Sequence, residues 1–282
     1  MPELPEILNL ARQMDQELRG KKIVSVEVLQ VKILNRPVKE FEDLVVGRKI
    51  GPVTSRGKWV FVKLEPGSKA GSGGKPGPET HFLLSLGMGG EVLLRKPGEA
   101  PPAKYRLKFT FGDRSYLTIN FWWFGYAHAV TADELASHKM TADLGLDPMD
   151  DGEFTFGRFR DLLTGRKGAI KAVLMDQRKI AGIGNVYIQE ILLRARLHPD
   201  RKIPSLTAAE LKRLYEATVG ALREAVDDGG LKYEVDLHNE HGRYDPAWHP
   251  GGPCPKCGTT MEKVKTGGTM QIVCPKCQVK QG

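Results

Sequence analysis

Cysteine is absent from the first 253 residues of this 282-residue chain. That absence excludes a disulfide framework over the body of the protein, which must rest on hydrophobic cores instead. No apolar run approaches the roughly 20 residues that a bilayer-spanning helix needs. The N-terminus shows no basic-then-apolar secretory pattern, and no internal repeat recurs. A cytoplasmic protein with no membrane partner is therefore expected. At this length two domains are expected rather than one, and 40% hydrophobic with 27% charged residues is an ordinary globular composition.

Charge and cysteine are present, but unevenly. Residues 156–202 carry 11 Lys/Arg against 4 Asp/Glu, close to the whole net charge of +8. From Pro253 to the end there are 5 Lys and 1 Glu. Two basic blocks on an otherwise balanced chain point to a polyanion, most simply nucleic acid. All four cysteines lie in the last 29 residues, as Cys254-x-x-Cys257 and Cys274-x-x-Cys277 with 16 residues between the pairs. In a reducing compartment this spacing predicts a four-thiolate site for one structural Zn2+, with no coordination position left open for chemistry.

Apolar periodicity predicts a helix over 6–18, then a series of strands to about residue 130. Leu107, Phe109 and Phe111 share one strand face, and Leu117, Ile119 and Phe121 continue it after a Gly112-Asp113 turn. The Gly-, Ser-, Lys- and Pro-rich stretch 66–80 reads as a flexible insertion. Helices are predicted over 156–163, 169–175, 186–196 and 207–226. Thr131 with Glu134 and Thr207 with Glu210 have capping-box spacing. The polar stretch 231–252 reads as a loop.

Two places have the makings of chemistry. A small residue after Met1 favours removal of that methionine, and Pro2 would then offer a secondary amine that can attack an aldehyde carbon. Glu3 beside it can move the proton such a step needs. The plain alternative is that Pro2 starts a helix whose positive end suits the two acids Glu3 and Glu6. In 176–187, Gly182 and Gly184 precede a helix start, with Asn185, Arg178 and Lys179 nearby. That pattern fits a phosphate clamp or, equally simply, a close helix–helix turn.

The order Pro-Glu-Leu-Pro-Glu, Gly57-Lys58, Leu86-Gly-Met88-Gly-Gly, Gly182-Ile-Gly-Asn185 and two Cys-x-x-Cys pairs resembles the formamidopyrimidine-DNA glycosylase/endonuclease VIII family of base-excision repair enzymes. Leu4, where the endonuclease VIII branch usually has glycine, places it nearer the formamidopyrimidine branch. The resemblance implies an α+β fold. An antiparallel β-sandwich with an N-terminal helix would occupy 1–131 and a linker 132–152. A helix–two-turns–helix domain with a lesion-side loop would occupy 153–252, and a β-hairpin zinc finger 253–282. It also implies a bifunctional DNA glycosylase and abasic-site lyase acting on damaged double-stranded DNA, as a monomer. Pro2 would be the nucleophile and Glu3 the proton shuttle, with β,δ-elimination following. Lys58 and Asn185 would hold phosphates, Glu6 would lie beside the flipped base, and Met88 would fill the gap it leaves.

Three positions depart from the family pattern. In place of Asp-x-Arg-Arg-Phe-Gly the chain has Asn120-Phe121-Trp122-Trp123-Phe124-Gly125. The arginine that pairs with the orphaned cytosine is thus absent. Trp122, Trp123 and Phe124 are assigned to DNA contact by stacking, unless one or both tryptophans pack the sandwich, and weak opposite-base discrimination is expected. The arginine five residues before the third cysteine is replaced by Thr269, with Lys265 a candidate substitute, and a family histidine is replaced by Ser85. Two alternatives follow: a glycosylase of altered scope acting on oxidised pyrimidines or bulky lesions, and a lesion-binding protein with weakened catalysis.

Overall fold

The computed structural model describes residues 1–66 and 78–280, so the insertion read at 66–80 lies mostly outside the described residues. The chain divides into two compact units, Met1–Asp143 with Lys232–Gly242, and Leu144–Leu231 with Arg243–Gly282.

In the first unit, α1 (Leu4–Leu18) buries the predicted stripe of Ile7, Leu10, Ala11, Met14 and Leu18. It is followed by β1 (Ile23–Val28), α2 (Val38–Val45), β2 (Lys49–Arg56), β3 (Trp59–Glu65), β4 (Thr80–Ser85), β5 (Glu91–Arg95), β6 (Leu107–Phe111), β7 (Tyr116–Asn120), β8 (Tyr126–Thr131) and the short α3 (Ala132–Ala136). The strands form two four-stranded antiparallel sheets, ordered β1-β6-β7-β5 and β2-β3-β4-β8. One core joins them: Val62, Leu64 and Phe82 from one sheet, Phe109, Phe111 and Leu117 from the other. Phe82 and Phe109 meet edge to face across it, ring centroids 5.0 Å apart. Thr131 caps α3 and Glu134 closes the box, as the spacing predicts.

The segment 232–242, expected to be part of the loop ahead of the cysteine hairpin, packs in this first unit. Leu237 is fully buried in the sandwich core. Its amide donates to Gln13 Oε1 at 3.0 Å and its carbonyl accepts from Leu94 at 2.9 Å. A single apolar residue among charged ones has no period, so nothing local announced this burial.

The second unit contains α4 (Phe156–Leu163), α5 (Ile170–Met175), α6 (Tyr187–Ala195), α7 (Ala208–Asp227) and a hairpin of β9 (Glu262–Thr266) and β10 (Thr269–Val273). Thr155 and Thr207 cap α4 and α7 through their hydroxyls. In α6 every residue but Arg194 is buried, which makes it the central helix of a core with Phe159, Leu174, Leu214 and Leu222.

A histidine pair on the first unit makes its stability pH-dependent. His128 Nδ1 lies 2.9 Å from His138 Nε2, against the rings of Trp59 and Tyr126. Burial first, then the neighbouring His138 and Arg36, pushes His128 from 6.5 down to about 4. The unfolded chain therefore binds more protons than the folded one between those values. Stability from this group is complete above pH 6.5 and is lost as pH falls through 4. Chemical denaturation should show a loss of about 2 kcal/mol from this group between pH 7 and pH 5. A His128→Phe variant should have a visibly flatter profile over that range, and an unchanged slope would refute the assignment.

Candidate active site and metal centre

Pro2 is buried and stands before α1 rather than in it. The proline of the first helical turn is Pro5, so the helix-starting role does not fall to Pro2. Glu3 is the N-cap and is wholly buried, while Glu6 is 8% exposed. The Glu3 amide donates to Glu6 Oε2 at 2.8 Å, and the Glu3 carboxylate accepts from the Glu6 amide in return. Free main-chain N–H groups and the positive end of the helix offset the cost of burying two acids. The N-terminal ammonium of Met1 pairs with Glu234 Oε1 at 2.7 Å.

Lys58 lies in the Gly57-Lys58 turn between β2 and β3, half-buried. Its ammonium makes no hydrogen bond or ion pair among the described residues, so it is available to an external anion. Register places three loops at one end of the second sheet. Ser85 pairs with Tyr126, Leu84 with Val60, and so the Lys58 turn, the Met88 loop and the 122–124 loop all emerge there.

The latter two loops are tied by main-chain bonds. Met88 N donates to Trp123 O at 2.8 Å and Trp122 N to Met88 O at 2.9 Å. The approach is close enough that a Cβ on Gly87 would stand 2.1 Å from Trp123 O, so only glycine fits. Gly89 likewise lies under the Trp122 ring, 3.1 Å from where its Cβ would be. The result is a platform of four apolar side chains in solvent: Met88 is 47% exposed, Trp122 68%, Trp123 66% and Phe124 72%. Neither tryptophan packs the sandwich, and Met88 is not a core residue. Phe124 adopts φ +58°, a left-handed conformation that costs energy in a non-glycine residue. Ser85 and Asn120 are buried.

In the second unit the Gly182–Asn185 turn precedes α6. Gln177 staples it, accepting from Gly182 N at 2.8 Å and donating to Ile183 O at 2.8 Å. Asn185 is half-buried, and its Oδ1 accepts from Gln271 Nε2 at 2.6 Å. Arg178 and Lys265 are exposed, with side chains unpaired among the described residues. Gln271, Gln189 and Lys171 have no signature in the sequence, since isolated glutamines and a lone lysine carry no spacing signal.

The four cysteine sulfurs lie within 4.8 Å of one another. Cys254–Cys277 and Cys257–Cys274 stand at 4.0 and 3.5 Å. A tetrahedral ion with metal–sulfur bonds of about 2.3 Å sets its sulfurs roughly 3.8 Å apart, so the cluster fits a metal ion. Hydrogen bonding with the Thr259 side chain and backbone holds the Cys257 thiol down to about 6, whereas burial pushes Cys277 up to about 12. Binding must displace those thiol protons, so acid favours release.

The fold is now joined by sequence kinship. The formamidopyrimidine-DNA glycosylase N-terminal domain model matches residues 1–120, and the H2TH domain model of the same glycosylases matches 144–235. A formamidopyrimidine-DNA glycosylase from Bacillus cereus is 34% identical over 99% of both chains. The chain belongs to the formamidopyrimidine-DNA glycosylase family. A relative from Pelotomaculum thermopropionicum with the same description is 33% identical over 99% of both chains. The Lactococcus lactis Fpg (MutM) in complex with N7-benzyl-Fapy-dG DNA has the same fold, with TM-score 0.87 at 24% identity over 99% of this chain and 100% of that one. No described helix is long and apolar enough to cross a membrane.

Proposed function

We propose that the protein is a bifunctional DNA glycosylase and abasic-site lyase of base-excision repair, removing oxidised or ring-opened bases from double-stranded DNA. The observation that carries this is the buried Pro2-Glu3 pair at the start of α1, with Pro2 relieved of a helix-starting role. Once Met1 is removed, the Pro2 nitrogen attacks C1′ of the damaged nucleoside and the bond from C1′ to the base breaks. Glu3 delivers a proton to the sugar ring oxygen, the ring opens, and an iminium forms between Pro2 and C1′. That cation acidifies C2′–H, so loss of this proton expels the 3′ phosphate. A second elimination then expels the 5′ phosphate. Lys58 and Asn185 hold backbone phosphates, with Arg178 and Lys265 adding to the basic surface. Glu6 lies beside the extruded base, and Met88, Trp122, Trp123 and Phe124 occupy the space it leaves.

The cysteine cluster is assigned to one structural Zn2+, because four thiolates with no open position suit that ion. Metal analysis should find one zinc per chain, and chelation should abolish DNA binding while leaving the sandwich folded. A fully active metal-free protein would refute the assignment. The activity itself is tested by borohydride trapping on abasic duplex DNA. A covalent protein–DNA adduct is expected, and its absence would remove the catalytic reading. A second reading, a glycosylase of altered scope favouring oxidised pyrimidines or bulky lesions, is favoured by the exposed tryptophans. A panel of lesions in one sequence context separates the two.

A further inference from the structure

The segment 232–242 brings a carboxylate to the start of the chain. Glu234 Oε1 lies 2.7 Å from the Met1 ammonium, and its side chain is only 13% exposed. Among the described residues that ammonium is the one partner of the Glu234 carboxylate. The segment itself is firmly anchored. Asp236 Oδ1 accepts from the amides of His238 and Glu240 at 2.8 and 2.9 Å, and its Oδ2 accepts from Gln13 Nε2 at 2.7 Å. Gln13 belongs to α1, the helix that Glu3 caps, and Leu237 seats the same stretch in the sandwich core. These anchors hold Glu234 in place whether or not Met1 is present.

Three covalent bonds separate the nitrogen of Met1 from that of Pro2, so Glu234 Oε1 stands at most about 6 Å from the Pro2 nitrogen. Removal of Met1 takes away the group that Glu234 binds and makes Pro2 the new terminus. Rotation of the Glu234 side chain, or one bridging water, closes the remaining distance.

The glycosylase reaction leaves one proton without an acceptor. A neutral Pro2 amine has one N–H and one lone pair. The pair forms the bond to C1′ as the base departs with the electrons of the bond it breaks, and the nitrogen becomes cationic with its hydrogen still attached. The iminium forms only when that hydrogen leaves as a proton, freeing a pair for the N=C1′ bond while the C1′–O4′ bond breaks. Glu3 is already committed at the other end of this step. One of its oxygens accepts from the Glu6 amide and the other carries the proton for O4′. Glu6 in turn accepts from the Glu3 amide at 2.8 Å. A free α-amino group holds its proton too firmly for a carboxylate to take. Bonding to C1′, beside an electron-withdrawing oxygen, makes the same N–H far more acidic.

We propose that Glu234 is a further catalytic residue, the base that takes the proton from the Pro2 nitrogen while Glu3 acts as the acid. This rests on the DNA glycosylase reading. The proton ends on the Glu234 carboxylate and passes to solvent, and the positive charge stays on the iminium.

The test uses protein whose intact mass lacks Met1. Glu234→Gln should slow single-turnover excision of a ring-opened guanine about 100-fold, with Kd for a duplex carrying a tetrahydrofuran abasic analogue unchanged. Glutamine keeps the size of the side chain and an accepting oxygen but is no base, so a purely structural role would leave the rate alone. Glu234→Ala should be equally slow, and acetate in the buffer should accelerate it in proportion to its concentration by filling the vacated space. Three results would each overturn the role of Glu234 alone: a wild-type rate in Glu234→Gln, a loss that lies in Kd instead of rate, or a Glu234→Ala enzyme indifferent to acetate. Wild-type protein that forms no borohydride-trapped adduct on abasic duplex DNA would overturn the glycosylase reading, and this role with it.

Discussion

Replacing Pro2 by glycine should slow single-turnover base excision by about a thousandfold, some 4 kcal/mol of barrier, and suppress the trapped adduct correspondingly. Proline forms an iminium that is permanently cationic. Glycine forms an imine that must first be protonated, and its unrestrained amine is poorly aimed. The effect presupposes that Met1 has been removed, because a retained methionine leaves the Pro2 nitrogen as a tertiary amide. Intact mass of the purified protein should therefore be short by one methionine residue. Glu3→Gln distinguishes chemistry from architecture at the same place. Glutamine keeps an oxygen to accept from the Glu6 amide, so α1 should stay capped and the thermal midpoint should move little. Proton delivery is lost, and a rate drop of about 100-fold or more should follow. A Pro2→Gly enzyme that traps as well as wild type would end the proposed mechanism.

Excision opposite cytosine and opposite adenine should proceed at rates within about threefold of each other. Bidentate reading of a base edge is worth roughly 1–3 kcal/mol of discrimination, and the residues it requires are missing from the platform. Trp122, Trp123 and Phe124 offer faces that stack on any base. Stacking is nonetheless energetic, at about 1–3 kcal/mol per base, so Trp122→Ala with Trp123→Ala should reduce excision about 10- to 100-fold opposite both partners alike. A strong cytosine preference in the wild type would refute this. A loss confined to one partner in the variant would show that an indole N–H reads the base after all. The φ of +58° at Phe124 fits a loop whose shape is set by its two main-chain bonds to Met88 rather than by its own preferences.

The local signals survived folding well. The capping boxes at Thr131 and Thr207, the stripe of α1, the alternation through β6 and β7, and the cysteine spacing are each governed by neighbours within a few residues. Short-range geometry alone decides such features, and the same motifs in order were enough to indicate the family. The tryptophans show the limit. Their sequence environment was compatible with core or solvent, because burial depends on which strand ends meet at one edge of the sheet.

By itself the sequence determined the main helices and strands and the cluster of four cysteines, since these follow from periodicity and spacing. Only the tertiary structure decided that Leu237 joins the sandwich core, that Met88 and Trp122–Phe124 form one exposed platform, and that Lys171, Gln271 and Asn185 converge near Thr269. Each of those depends on contacts between residues dozens of positions apart. Hydrogen-bond valence and burial act on distances in space, and no pattern of spacing along the chain encodes them.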